Sequence, residues 1–83
     1  MASPIGFTKA AAAAFTQLPA QAQAHLGEVM RSIAANPYGT GRALDRQDLY
    51  DRVMGLPDGW IRYAVRPLER PEVLITDLDW YRV

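Results

Sequence analysis

Residues 48–66 have the sequence DLYDRVMGLPDGWIRYAVR, in which two runs of alternating apolar and polar residues flank the segment LPDG. Proline at the second position of this segment and glycine at its end are typical of a type I turn, and the glycine can adopt a left-handed conformation. We therefore predict a β-hairpin with strands near 48–54 and 60–66, joined by a three-residue loop of Pro57, Asp58 and Gly59.

The length of this loop decides which side chains share a face of the sheet. With three loop residues, the cross-strand pairs are Leu56 with Trp60, Met54 with Arg62, Arg52 with Ala64, and Tyr50 with Arg66. The open face then presents three arginines and two aromatic residues, namely Arg52, Arg62, Arg66, Tyr50 and Trp60. The face toward the helices holds Leu49, Val53, Ile61, Tyr63 and Val65, with Asp51 as a poor fit among them.

Two interpretations of the open face follow from its composition. An antiparallel sheet commonly has one solvated face, and arginine is an ordinary occupant of it. Alternatively, the guanidinium groups bind phosphates while the aromatic rings stack on bases. The residue pattern alone leaves both interpretations open.

The remaining segments predict two helices and a third strand. Thr8 caps an alanine-rich helix near 8–17, and Pro19 precedes a second helix near 20–35 that has one apolar stripe. A third strand is predicted near 72–79, and the segment PIGF, residues 4–7, forms an abbreviated strand in front. The expected fold is α+β, a two-helix hairpin packed on an antiparallel three- to four-stranded sheet. The expected core contains Leu26, Met30, Ile33, Val53, Ile61, Val65 and Ile75.

Length and composition restrict the class of protein. A chain of 83 residues with 49% hydrophobic residues forms one domain, here taken as 1–83. The absence of cysteine excludes disulfides, zinc knuckles and thiol catalysis, and we expect neither a metal nor another cofactor. Without a long apolar run, the chain is expected to be cytoplasmic and not to bind a membrane. The net charge of +0 gives no support to a nucleic-acid ligand, although all but one of the nine basic residues are arginine.

In order and spacing, four segments resemble the RelE/ParE family of toxins from type II toxin–antitoxin modules. They are the opening FTKAAAAAFTQLP, the second helix VMRSIAANPYGTGRAL, the hairpin LYDRVMGLPDGWIRYAV and the last strand VLITDLDWYRV. The resemblance covers nearly the whole chain. It implies the two-helix, antiparallel-sheet fold derived above and an antitoxin partner encoded by an adjacent gene.

Ribonuclease members of that family cut messenger RNA on the ribosome through attack of a ribose 2′-hydroxyl on the adjacent phosphate. By resemblance, Arg62 stabilises the phosphorane, and Tyr81 and Arg82 form the catalytic C-terminal tail. The same resemblance places Arg42 and Arg46 among the RNA-binding residues, together with Arg52, Arg66 and Trp60 of the predicted open face.

A ribonuclease assignment requires a general base, and the sequence offers few candidates for it. No lysine follows Lys9, arginine is not a proton acceptor at neutral pH, and His25 lies beside the apolar stripe of the second helix. Asp77 and Asp79 are the remaining candidates. The alternative is a non-catalytic binding protein on the same scaffold, either a ParE-like inhibitor of DNA gyrase or a catalytically lapsed relative. A small α+β interaction module unrelated to toxins is the third possibility.

The antitoxin is expected to fold along the helices and the sheet as an initially disordered segment. Two aromatic residues expected to be exposed, Tyr38 and Trp80, and the abbreviated first strand indicate where such a segment lies.

Overall fold

The computed structural model describes residues 3–44, 50–67, 69 and 71–81. Its elements follow the chain as β1 (Ile5–Phe7), α1 (Lys9–Thr16), α2 (Ala20–Ala35), α3 (Pro37–Thr40), β2 (Arg42–Ala43), β3 (Asp51–Leu56), β4 (Gly59–Arg66) and β5 (Glu72–Trp80). The strand order is β1-β5-β4-β3-β2, with β1 parallel to β5 and the other neighbours antiparallel.

The predicted α+β class, the two helices and the antiparallel meander are confirmed. The abbreviated strand predicted at residues 4–7 is present as β1, although it runs parallel to β5. The sheet differs from the expected one because the additional edge strand β2 brings it to five strands. A single turn of helix, α3, also follows α2. In the part of the chain that the structure describes, none of the helices has the length and hydropathy needed to cross a bilayer.

Local hydrogen bonds fix the two long helices. The Thr8 hydroxyl accepts a hydrogen bond from the Ala11 amide at 3.2 Å, which confirms the predicted N-cap. At the other end of α1, the Gln23 side chain donates to the carbonyls of Phe15 and Leu18 at 3.0 and 3.2 Å. One amide of α2 therefore satisfies carbonyls that the end of α1 leaves without intrahelical partners.

Both long helices pack on one face of the sheet, which we call the inner face. Of the predicted core, Leu26, Met30, Ile33, Ile61, Val65 and Ile75 are buried as expected. The placement of Val53 was wrong, because this residue pairs with Arg62 and lies on the opposite face, the outer face. Tyr63, Val73 and Leu78 complete the sheet side of the core.

The hairpin loop is shorter than predicted, and this changes the register. Leu56 pairs with Gly59, so the loop contains only Pro57 and Asp58. No described glycine has a positive φ, so Gly59 is not in the left-handed conformation that the sequence suggested. Because side chains alternate along a strand, the shift of one residue moves every side chain of β3 to the other face.

A β-bulge divides β5 into two halves of opposite phase. Arg62 pairs with Asp77 but the next residue, Tyr63, pairs with Ile75, which leaves Thr76 as the extra residue. Val73 and Ile75 point inward before the bulge, and Leu78 points inward after it. The bulge therefore buries both apolar halves of the strand while Asp77 and Asp79 remain exposed.

A buried polar cluster joins the sheet to residues 37–41. Tyr63 is fully buried, and its hydroxyl donates to the Pro37 carbonyl at 2.9 Å and accepts from the Gly41 amide at 3.1 Å. Its cross-strand neighbour Arg52 donates to the carbonyls of Tyr38 and Gly41 at 2.8 and 2.7 Å. These two side chains provide partners for backbone groups that would otherwise be buried without them.

Candidate functional site

The outer face of the sheet is the candidate functional surface, because the core lies on the inner face and both long helices pack there. In the observed register the outer face presents charged, apolar and aromatic side chains from four strands. The charged members that the structure describes are Arg42, Asp51, Arg62, Arg66, Glu72, Asp77 and Asp79. The described part of the outer face thus has three arginines and four carboxylates.

Arg62 and Asp51 form a bidentate ion pair on this face. The Arg62 Nε donates to Asp51 Oδ1 at 3.1 Å, and Nη2 donates to Oδ2 at 2.6 Å. The hydrogen bond from Arg62 lowers the pKa of the Asp51 carboxyl below its ordinary value, and the pair raises the pKa of Arg62 in turn. Asp51 is therefore ionised at neutral pH and is a weak proton acceptor.

The ion pair between Arg62 and Asp51 should make the stability of the fold depend on pH. The folded pKa of Asp51 lies below its unfolded value near 3.8, so the stabilisation is complete above that value and is lost as the pH falls through the folded pKa. We expect the melting temperature of the wild type to fall more steeply between pH 5 and pH 2 than that of Asp51→Asn. The difference should be a few degrees, because the pair is partly exposed. Parallel pH profiles for the two proteins would contradict the assignment.

An open pocket of about 390 Å³ lies against this ion pair. It is lined by Tyr50, Asp51, Arg62, Ala64, Thr76 and Asp77. Ala64 contributes only a methyl group between larger neighbours, and Thr76 is the bulged residue, whose hydroxyl donates to the Arg62 carbonyl at 3.2 Å. The pocket thus lies beside a small side chain of β4 and the bulged residue of β5.

The other predicted cations of the outer face are spread along the sheet. Arg66 pairs with Glu72, with Arg66 Nη1 at 3.3 Å from Glu72 Oε2. Arg42 is exposed on the edge strand β2, opposite Val53, and no described carboxylate lies within 4 Å of it. Trp60 is half-buried beside Asp79 on the neighbouring strand. None of these side chains lines the pocket beside Arg62.

The predicted position of Arg52 was wrong. The two-residue turn places Arg52 on the inner face, where it is 7% exposed and hydrogen bonds to the carbonyls of Tyr38 and Gly41. Its guanidinium also lies 5.9 Å from the centre of the Tyr38 ring. Asp51, expected inside, takes the outer position for the same reason.

The predicted catalytic group is not assembled among the described residues. Tyr81 is exposed, and its amide donates to the Asp58 carbonyl at the hairpin turn. Four residues along β4 separate Asp58 from Arg62, which corresponds to about 13 Å at 3.3 Å per residue. Arg82 and Arg46 lie outside the described residues. Tyr38 is exposed as expected, but Trp80 is half-buried against the core, 5.7 Å from the His25 ring, so its predicted exposure was wrong.

Two pocket residues, Asp51 and Thr76, were missed by the sequence analysis, and Ala64 was placed on the open face without a role in a site. The signal that could have found Asp51 was its poor fit on the predicted inner face, since a buried carboxylate in a small core points to a slipped register. The described part of the chain contains no group of three or more histidine, aspartate or glutamate residues arranged to hold a metal ion.

Comparison with known proteins identifies the fold. Neither a scan with protein-family models nor a search of curated proteins finds a match. A solved structure, the toxin–antitoxin complex RelBE2 from Mycobacterium tuberculosis, contains a similar chain with a TM-score of 0.81 and 21% sequence identity. The similarity covers 96% of this chain and 92% of that one. The two chains therefore share a fold over nearly their whole length, in agreement with the fold that the RelE/ParE resemblance implied.

Proposed function

We propose that this chain is the cytoplasmic toxin component of a toxin–antitoxin module, and that it acts by binding a protein target. The observation that carries the proposal is the likeness to a chain of the RelBE2 toxin–antitoxin complex over nearly the full length of both chains. The RelE/ParE-like order of sequence motifs supports it independently. The partner of such a protein is an antitoxin encoded by the adjacent gene.

The outer face favours binding over RNA cleavage. The arginine proposed to stabilise a phosphorane is already neutralised by Asp51, and the described outer face has more carboxylates than cations. A polyanion gains affinity chiefly by pairing its phosphates with free cations, and such cations are scarce on this face. DNA gyrase, the target of ParE-like toxins, is the protein target that the family resemblance provides.

An endoribonuclease is the second candidate, and the pocket is the observation that favours it. Arg62 and two carboxylates line one cavity, in which Asp77 could take the proton of the 2′-hydroxyl as its oxygen attacks phosphorus. The 5′-oxygen would leave with a proton from an acid, giving a cyclic phosphate. Tyr81 and Arg82 remain the proposed catalytic tail of this candidate, and Arg42, Arg46, Arg66 and Trp60 its RNA-binding residues. Arg52 is left out because it is buried.

The first test is inducible expression in a bacterial host, with and without the product of the adjacent gene. We expect expression of the chain alone to reduce colony counts by about 10²-fold or more, and co-expression to restore them with formation of a complex that co-purifies. Normal growth together with the absence of a complex would overturn the toxin proposal.

Two assays on the purified protein then separate the candidates. A binding protein of the ParE kind inhibits gyrase supercoiling and leaves messenger RNA on translating ribosomes intact. A ribonuclease cuts that RNA, and Arg62→Ala should lower the rate about 10²-fold because a cation that stabilises the transition state is lost. Arg31→Ala, an exposed arginine on α2, is the matched control that should keep full activity.

A further inference from the structure

Charged residues are almost absent from the first third of the chain. Of the nine basic and nine acidic residues, only Lys9 lies among residues 1–27, and the net charge of the whole chain is +0. This part of the chain forms β1, α1 and the first half of α2, and it exposes uncharged side chains such as Phe7, Ala10 and Ala13. A surface depleted of charge is typical of the core of a protein–protein interface, and it offers nothing to complement an acidic or basic partner.

One side of the β1 backbone faces away from the sheet. The Pro4 carbonyl accepts a hydrogen bond from the Val73 amide at 2.9 Å, and the Thr8 amide donates to β5 at 3.0 Å. Because a parallel ladder uses every second residue of a strand, the amides and carbonyls of Ile5 and Phe7 point away from β5. In the described part of the chain, no other strand pairs with these four groups.

This edge lacks the features that usually prevent a sheet from pairing with another chain. Such edges carry charged side chains or a bulge, and β1 has neither. Its central residue is Gly6, although a Cβ atom there would meet only the Leu74 side chain at an ordinary 3.7 Å. Packing within the chain therefore does not require this glycine. A glycine inside a strand often marks a place where another backbone approaches closely.

A two-fold axis through Gly6 makes the edge complementary to its own copy. In the antiparallel register, Gly6 lies opposite the same residue of the second copy. Ile5 and Phe7 then pair across the axis and exchange their outward hydrogen bonds. Both side chains lie on the inner face, where Phe7 is 37% exposed and its ring lies 5.7 Å from the Phe15 ring. An aromatic residue opposite a β-branched one is a favourable cross-strand pair, and no like charges meet at the axis.

We propose that the outer edge of β1 is a self-association site, at which two copies of this chain join their sheets into one. The partner is a second copy because the edge offers no charge to a charged segment, whereas its glycine-centred pattern matches itself. Strands of three residues bury a small area, so the dimer is weak and forms only at high protein concentration. The inference stands apart from the toxin proposal, because it depends on β1 and its surroundings alone.

The first test is sedimentation equilibrium of the full chain at concentrations from about 10 µM to about 1 mM, the range in which a small interface associates. We expect the average mass to rise from 9.2 kDa toward twice that value. Hydrogen exchange followed by NMR should slow at the Ile5 and Phe7 amides as the concentration rises, because these amides become donors to the second copy. The Gly55 amide on β3 is the internal control and should exchange at a constant rate.

Opposite charges introduced at residue 6 test the two-fold register. Gly6→Glu and Gly6→Lys each place like charges opposite one another across the axis and should weaken self-association about fivefold or more. An equimolar mixture of the two variants should restore it, because opposite charges then face each other. Gly55→Glu is the matched control, since it adds a charge to the same face of the sheet at a position where a Cβ atom meets no atom within 4 Å. It should associate like the wild type.

A mass that stays at 9.2 kDa over the whole concentration range would overturn the inference. So would a Gly6→Glu protein that associates like the wild type, or a mixture of the two charged variants that associates no better than either alone. Protection of the Ile5 and Phe7 amides only in a complex with the product of the adjacent gene would assign the edge to that partner and overturn self-association. None of these measurements uses toxicity, so failure of the toxin proposal is distinguishable.

Discussion

Gly59→Ala is expected to lose about 2–3 kcal/mol of unfolding free energy and to melt about 10 °C below the wild type. A Cβ atom at residue 59 would lie 2.2 Å from the Asp79 carbonyl oxygen and 3.2 Å from the Trp80 Cα. Both are backbone atoms of the neighbouring strand, so no side-chain rotation relieves the clash. The pairing of β4 with β5 must open at that point.

Gly55 in the same hairpin provides the control for this prediction. A Cβ atom at residue 55 meets no atom within 4 Å, and the residue is exposed on β3. Gly55→Ala should therefore match the wild type or exceed it by about 0.5 kcal/mol, because alanine restricts the unfolded chain. The measurement is thermal and urea unfolding of the three proteins. Equal stability of the two alanine variants would show that the close approach at Gly59 is not what requires glycine.

Tyr63→Phe removes a single oxygen and is expected to destabilise the fold by about 2–3 kcal/mol. The loss leaves the Pro37 carbonyl and the Gly41 amide without a hydroxyl partner in a buried region, at about 1–3 kcal/mol for an unsatisfied group. The apolar area of the ring is unchanged, so the effect measures the hydrogen bonds alone. The segment 37–41 should also exchange its amide hydrogens faster than the rest of the chain.

Tyr38→Phe is the matched control for the hydroxyl. The residue is 43% exposed, so water can replace any interaction of the lost oxygen, and the stability should change by less than about 0.5 kcal/mol. If Tyr63→Phe behaved in the same way, the polar cluster beneath residues 37–41 would contribute little to stability.

Most helices and strands of the fold could be predicted because short stretches of sequence determine them. The alanine run after Thr8 and the apolar stripe of α2 predicted the two helices, and strand alternation predicted the meander. The abbreviated strand predicted at residues 4–7 is β1, but the second edge strand, β2, was beyond this approach. β2 is only two residues long, and its pairing with β3 is defined by distant residues.

The site was harder to predict because it depends on the length of the hairpin loop and on the β-bulge in β5, and each shifts the register by one residue. Treating Gly59 as a loop residue moved Arg52 to the outer face and Asp51 to the inner face, although Arg62 kept its correct place on β4. The bulge at Thr76 then decided that Asp77, rather than Thr76, stands opposite Arg62. Local propensity indicates that a strand exists, but pairing energies over the whole sheet decide such a shift.

The position of β5 has a consequence for how the protein is made. β5 follows the other described strands in sequence, yet it lies between β1 at one edge and the β4–β3–β2 meander. During synthesis, the helices and the hairpin leave the ribosome before the strand that joins β1 to the rest of the sheet. β1 can pair only after β5 has been synthesised, so the sheet can be completed only when translation has passed residue 80. The pocket shares this delay, because Asp77 and Thr76 belong to that strand.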